Sequence, residues 1–138
     1  MYEWQKLNSE EKELYLNPKK SVPDHQIYQK SATNSASKFR EMCKKKHLNL
    51  SYGNRPNQKL DIFIPDNNNN NNCPVQIYYH GGYWIGRDKY DHSHIALPAI
   101  TNNIIHVSIN YDLSPNVTID LIVQETYESI IWVIKNIS

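Results

Sequence analysis

Val75-Gln76-Ile77-Tyr78-Tyr79-His80-Gly81-Gly82-Tyr83-Trp84 is the stretch on which the reading of this chain turns. Its first five residues are apolar and β-prone, and they predict a buried strand. Three of the four glycines in the 138 residues, Gly81, Gly82 and Gly86, follow within six positions. Glycine adopts backbone angles that other residues avoid and lets another group approach the main chain. A strand that runs into His-Gly-Gly can therefore turn its peptide N–H groups outward, toward an oxygen that gains negative charge during acyl transfer. A bare Gly-Gly would be only a tight strand-to-loop turn. The flanking His80 and the Tyr83-Trp84 pair favour the chemical reading.

The length suits one domain with a real core, yet it is short for a large single-sheet α/β fold of about 200–250 residues. Fifteen Lys+Arg against fourteen Asp+Glu leave a net charge of +1. No global field draws such a chain to nucleic acid or to an anionic membrane. The basic cluster Lys44-Lys45-Lys46-His47 is expected to close a helix, because cations favour a helix C-terminus. Cys43 and Cys73 lie thirty residues apart with no CxxC partner, which reads as free thiols in a reducing compartment. The N-terminus has no apolar signal region, and no run approaches about 18 apolar residues. A cytoplasmic protein without membrane or nucleic-acid partners is the expectation.

Residues 1–47 read as a helical N-terminal segment. Asn8-Ser9-Glu10-Glu11 offers a cap and an acidic first turn for a short helix ending before Pro18. A longer helix is expected from about His25 to Lys46, with Tyr28, Ala32, Ala36, Phe39 and Cys43 on one buried stripe. Leu48–Tyr52 and Leu60–Ile64 read as two strands of a hairpin turned by Gly53–Asn57. Residues 66–73 carry six consecutive asparagines, Asn67 to Asn72, and are expected to form a solvated, flexible loop without function. After the Gly-Gly turn come a helix from Ser93 to Thr101, interrupted at Pro98, and a strand Ile104–Ile109. Thr118 caps a final helix whose Ile119, Ile122, Tyr127, Ile130, Val133, Ile134 and Ile137 form a broad apolar face. The order, a hairpin and then strand, helix, strand, helix, predicts an α/β fold. Its sheet is mostly parallel, opened by the antiparallel hairpin and covered on both faces.

With His80-Gly81-Gly82-Tyr83-Trp84 placed at a strand end, the chain resembles the N-terminal half of a kynurenine formamidase (arylformamidase) of the α/β-hydrolase superfamily. The likeness runs through Tyr15-Leu16-Asn17-Pro18, Val22-Pro23-Asp24-His25, Tyr52-Gly53 and Leu60-Asp61-Ile62-Phe63 with Pro65. It continues in Asp88-Lys89, Ser93, Tyr111-Asp112-Leu113-Ser114-Pro115, Ile122, Gln124, Trp132-Val133 and Asn136-Ile137. The resemblance implies a three-layer α/β-hydrolase sandwich and a serine hydrolase that deformylates N-formylkynurenine in tryptophan breakdown, without a cofactor. It implies Gly82 and Tyr83 as the amide donors of an oxyanion hole and Gly81 as the turn residue. His80 would brace the loop, and Trp84 would pack the loop or wall the substrate pocket.

The chain departs from that pattern in one large respect. No Gly-x-Ser-x-Gly occurs in it, and in this fold the Ser, the acid and the His all follow the His-Gly-Gly loop. Ser93, Ser108 and Ser114, with His80, His92, His94, His106 and Asp112, contain no strand-to-helix elbow flanked by glycines. His92 and His94 fall about 200° apart on a helix, which argues against a shared metal. No catalytic triad and no metal site are therefore expected, and the chain as it stands is expected to be inactive. It would be the oxyanion-hole half of a single hydrolase domain. Alternatively it would be an inactive truncated paralogue that acts, if at all, by pairing with another chain. An exposed sheet edge at Val75–Tyr79 would favour self-association.

Overall fold

The computed structural model describes residues 3–66 and 73–137; the asparagine run Asn67–Asn72 lies outside the described residues. The chain divides into two compact units, Met1–Ala32 and Thr33–Ser138.

In the first unit a 3-10 turn, Glu3–Lys6, precedes α1 (Ser9–Leu16), α2 (Pro18–Ser21) and the start of α3 (His25–Met42). The Asn8 side-chain oxygen accepts from the Glu10 and Glu11 N–H groups at 2.9 Å, and the Glu11 carboxylate accepts from the Asn8 N–H at 2.8 Å. This reciprocal cap satisfies donors that the helix start leaves free. Asn17 caps α2 in turn, with Pro18 in the first helical turn, where its missing N–H costs nothing.

The second unit is built on a four-stranded sheet of β1 (Lys46–Ser51), β2 (Lys59–Phe63), β3 (Val75–Tyr79) and β4 (Ile105–Ile109), in the order β1-β2-β4-β3. β1 and β2 form the expected hairpin. A bulge lies between His47 and Leu50, where Asn49 takes a φ of 57°. β2 also runs antiparallel to β4, so only β3–β4 is parallel and the sheet is mixed rather than mostly parallel. A 3-10 helix, Lys89–Ile95, leads into α4 (Ala96–Thr101), and α5 (Ile119–Asn136) follows β4.

Helices cover both faces. On one, Tyr52, Leu60, Ile62, Val107 and Ile109 pack with Val133, Trp132 and Ile137 of α5 or its end. On the other, Phe63 meets Phe39 of α3, Cys43 just after it and Ala96 of α4; the Phe39 and Phe63 rings meet edge to face at 5.0 Å. No described helix is long and apolar enough to cross a membrane.

Three expectations are corrected here. The long helix ends at Met42, and Lys46 and His47 already belong to β1. The basic cluster still serves the helix end, because the Lys46 ammonium donates to the Arg40 and Cys43 carbonyls that the helix leaves without partners. Of the predicted stripe only Ala36 and Phe39 on α3, and Cys43 just beyond its end, are buried; Tyr28 is exposed. On α5 the buried stripe is Ile122, Glu125, Ser129 and Val133, whereas Ile119, Tyr127, Ile130 and Ile134 are exposed. The helix is apolar around more of its circumference than one sheet face can cover, and the polar pair faces inward because it has partners there.

β3 also differs from the expected buried strand. Val75 and Gln76 are exposed and the remaining residues half-buried, because β4 is its only neighbour among the described residues.

Candidate functional site

β3 and β4 run in parallel and end together, so the segments after them, 80–88 and 110–115, leave the sheet side by side. The loop after β3 turns sharply. Gly82, Tyr83 and Trp84 have φ values of 132°, 57° and 61°, three consecutive residues in the left-handed half of backbone space. For the two side-chain-bearing residues this costs on the order of 1–3 kcal/mol each, so the surroundings must enforce it. The glycine that the turn requires is Gly82. Gly81 is in open space and has an unremarkable φ.

The loop is tied at several points. The Ile85 N–H closes the turn onto the Gly82 carbonyl at 3.1 Å, and the Ser114 N–H donates to the Trp84 carbonyl at 2.8 Å. The Tyr111 hydroxyl donates to the His80 carbonyl at 2.6 Å. The Tyr111 ring also lies parallel to the His80 imidazole, with centroids 4.4 Å apart and planes 5° from coplanar. His80 is buried, and its Nδ1 donates to the Gly81 carbonyl at 2.9 Å; its Nε2 has no partner among the described residues. Among the described residues neither the Gly82 nor the Tyr83 N–H donates a hydrogen bond. The Tyr83 side chain is 78% exposed and Trp84 48%, so solvent reaches this side of the loop.

The segment that holds the loop is anchored in its turn. The Asn110 side chain accepts the Lys89 N–H at 3.2 Å and donates to the Asp88 carboxylate at 2.9 Å. Tyr52 donates its hydroxyl proton to the Asn110 carbonyl at 2.7 Å. Arg55, from the hairpin turn, ion-pairs with Asp112 and approaches the Glu125 carboxylate at 3.1 Å. The Asp112 N–H donates to the other Glu125 oxygen at 2.8 Å. Burial, and then the Asp112 charge, push the Glu125 carboxyl above its ordinary range, against the stabilising Asp112 N–H and Arg55. Burial likewise raises the Tyr111 phenol, which keeps the proton it donates. Sequence reading missed Arg55, Glu125 and the part played by Tyr111, because their partners lie far away along the chain.

The remaining candidates do not form a triad. Ser93 is buried and bonds to Arg40 and to the Lys89 and Tyr90 carbonyls. His106 Nε2 does meet the Ser108 hydroxyl at 3.0 Å, with Nδ1 donating to the Gln76 side chain at 2.8 Å. This dyad is fully buried in the sheet, has a neutral amide where a carboxylate would orient the imidazole, and burial lowers the His106 pKa to about 4. It is a satisfied core pair. His92 packs against Tyr78, and burial lowers its pKa; its Nε2, like His94 Nδ1, is buried without a partner among the described residues. Among the described residues no group of three His, Cys, Asp or Glu is placed to hold a metal ion.

Two surface hollows lie elsewhere. One of about 760 Å³ runs between α3 and α4 over Phe39, Cys43, Leu97 and Ile100, and one of about 340 Å³ lies beside Tyr52 and Trp132. Neither is lined by residues 80–84.

The chain is similar over its whole length to the kynurenine formamidase of Danio rerio, at 27% identity, and spans 48% of that protein. The kynurenine formamidase of Salmo salar is 26% identical, with the same coverage. An isoprenylcysteine alpha-carbonyl methylesterase of Arabidopsis thaliana is 32% identical over 64% of this chain and 21% of its own length. The chain thus spans about half the length of the kynurenine formamidases it matches. Among solved structures, one described as a candidate thioesterase of a Silicibacter species superposes with a TM-score of 0.74 at 31% identity, covering 82% of this chain and 42% of that one. Esterase B of Lactobacillus rhamnosis shares the fold, with a TM-score of 0.64 over 81% of this chain and 38% of its own. The mixed sheet with helices on both faces is thus a partial α/β-hydrolase fold. Residues 60–138, which hold the sheet from β2 onward, the glycine loop and its support, match the model of the BD-FAE family, and the chain belongs to that family.

Proposed function

We propose that residues 80–84 are the oxyanion-hole wall of a serine hydrolase that cleaves an acyl carbonyl, with the formamide of N-formylkynurenine as substrate. One observation carries the reading: the adjacent Gly82 and Tyr83 amides, at the end of a strand, have no acceptor among the described residues. They sit in a left-handed backbone that the protein maintains at a cost. Preorganised donors of this kind stabilise the charge that develops on a tetrahedral intermediate, and need no reorganisation when it forms. The names of the two full-coverage fish relatives support the substrate.

In this reading the Gly82 and Tyr83 N–H groups receive the carbonyl oxygen as a serine hydroxyl attacks the formyl carbon. His80 holds the strand exit through its bond to the Gly81 carbonyl and its stack on Tyr111. The exposed Tyr83 and Trp84 rings offer a flat wall to an aromatic substrate. The serine, its base and the base's orienting acid come from polypeptide outside these 138 residues. Alone, the chain hydrolyses neither N-formylkynurenine nor aryl esters.

A chimera joining this chain to the part of the Danio rerio kynurenine formamidase that it does not span tests the reading. Hydrolysis of N-formylkynurenine that falls by about 10²–10³ when the loop is deformed by Gly82→Ala supports it. Undiminished turnover in that variant refutes it.

A further inference from the structure

We propose that Tyr111 is the positioning residue of the 80–84 loop: its hydroxyl and ring together hold the strained turn in the form that leaves the Gly82 and Tyr83 amides free. The catalytic consequence rests on the oxyanion-hole reading; the clamp itself does not.

Three consecutive left-handed residues relax unless both ends of the turn are restrained. The restraints come from one short segment. At the entry the Tyr111 hydroxyl binds the His80 carbonyl at 2.6 Å, and at the exit the Ser114 N–H binds the Trp84 carbonyl at 2.8 Å. The exit bond is main chain to main chain. The entry bond is made by a side chain, which makes Tyr111 the residue whose identity decides the loop's geometry.

Two further features fit this role. The ring lies flat on His80, so the imidazole that binds the next carbonyl, Gly81, cannot rotate away. Tyr111 is also fixed on both sides: Asn110 is bonded to Asp88 and to the Lys89 N–H, and Asp112 is paired with Arg55. A hydroxyl mounted on so constrained a backbone sets a position rather than following one.

The test uses the full chain labelled with 15N and with 5-fluorotryptophan, so that Trp84 reports the loop and Trp132 the core. Tyr111→Phe keeps the ring and removes only the hydroxyl. The expected result is displaced or broadened Gly82 and Tyr83 amide signals and a moved Trp84 fluorine signal, with Trp132 unchanged. Loop signals that coincide with wild type overturn the proposal. In the wild-type chain the Tyr111 hydroxyl proton should give a slowly exchanging signal, a readout that does not depend on the variant folding; its absence also overturns the proposal. In the chimera described above, Tyr111→Phe should lower kcat about tenfold and leave KM within twofold. Displaced loop signals with unchanged kcat would sink the oxyanion reading and leave the clamp standing. Unchanged loop signals would do the reverse.

Discussion

A Cβ built on Gly82 would lie 2.0 Å from the carbonyl oxygen of Gly86, whereas one on Gly81 would meet nothing within 4 Å. The two neighbours in the motif therefore have opposite tolerances. Gly82→Ala is expected to lower the free energy of unfolding by about 1–3 kcal/mol, since it adds an unfavourable φ to a backbone clash. Gly81→Ala should stay within about 0.5 kcal/mol of wild type. Urea unfolding of the two variants side by side checks the contrast.

Asp61 is fully buried beneath two cations. Its carboxylate accepts from Arg40 at 2.6 Å, from the Lys89 ammonium at 3.1 Å and from the Asn49 N–H at 2.7 Å. Removing the anion strands positive charge in the interior, which costs about 3–5 kcal/mol. Asp61→Ala should accordingly melt far below wild type by circular dichroism. A melting temperature within a few degrees of wild type would mean that water compensates the cations.

His106 ties stability to pH. Burial lowers its pKa to about 4 in the folded chain, against about 6.5 when unfolded. The unfolded state thus binds more protons between those values, and stability falls as pH drops from about 6.5 toward 4, by at most about 1.4 kcal/mol per pH unit. Glu125, raised by burial, contributes the opposite slope above its unfolded pKa, because its folded form holds a proton longer. Equilibrium unfolding from pH 7 to 4.5, compared with His106→Gln, isolates the first contribution. A variant with the same pH dependence as wild type would refute it.

The outer edge of β3 has no partner among the described residues, and Val75 and Gln76 on it are exposed and uncharged. Such an edge pairs with other strands. The chain expressed alone is expected to elute at twice 16.2 kDa or more, and to shift toward monomer when Val75→Lys places a charge on the edge. Light scattering after gel filtration decides this, and a monodisperse wild-type monomer would count against it.

Features that depend on neighbours within a few residues were legible in the chain itself. The Asn8 cap, the stop before Pro18, the hairpin around Gly53 and the Thr118 cap all use partners no more than a turn or a hairpin away. The glycine loop was legible from its residues alone, as was the likeness to an α/β hydrolase carried by His80-Gly81-Gly82-Tyr83-Trp84. Tertiary structure decided the rest. The sheet order places β3 at the edge expected for it, but only the packing shows that Glu125 and Ser129 of α5 face inward while Tyr127 and Ile134 do not. Arg55 meets Asp112 across 57 positions, and Tyr111 meets His80 across 31. Periodicity reports how apolar a face is. Which face is covered, and which polar group finds a partner there, depends on where distant strands come to rest.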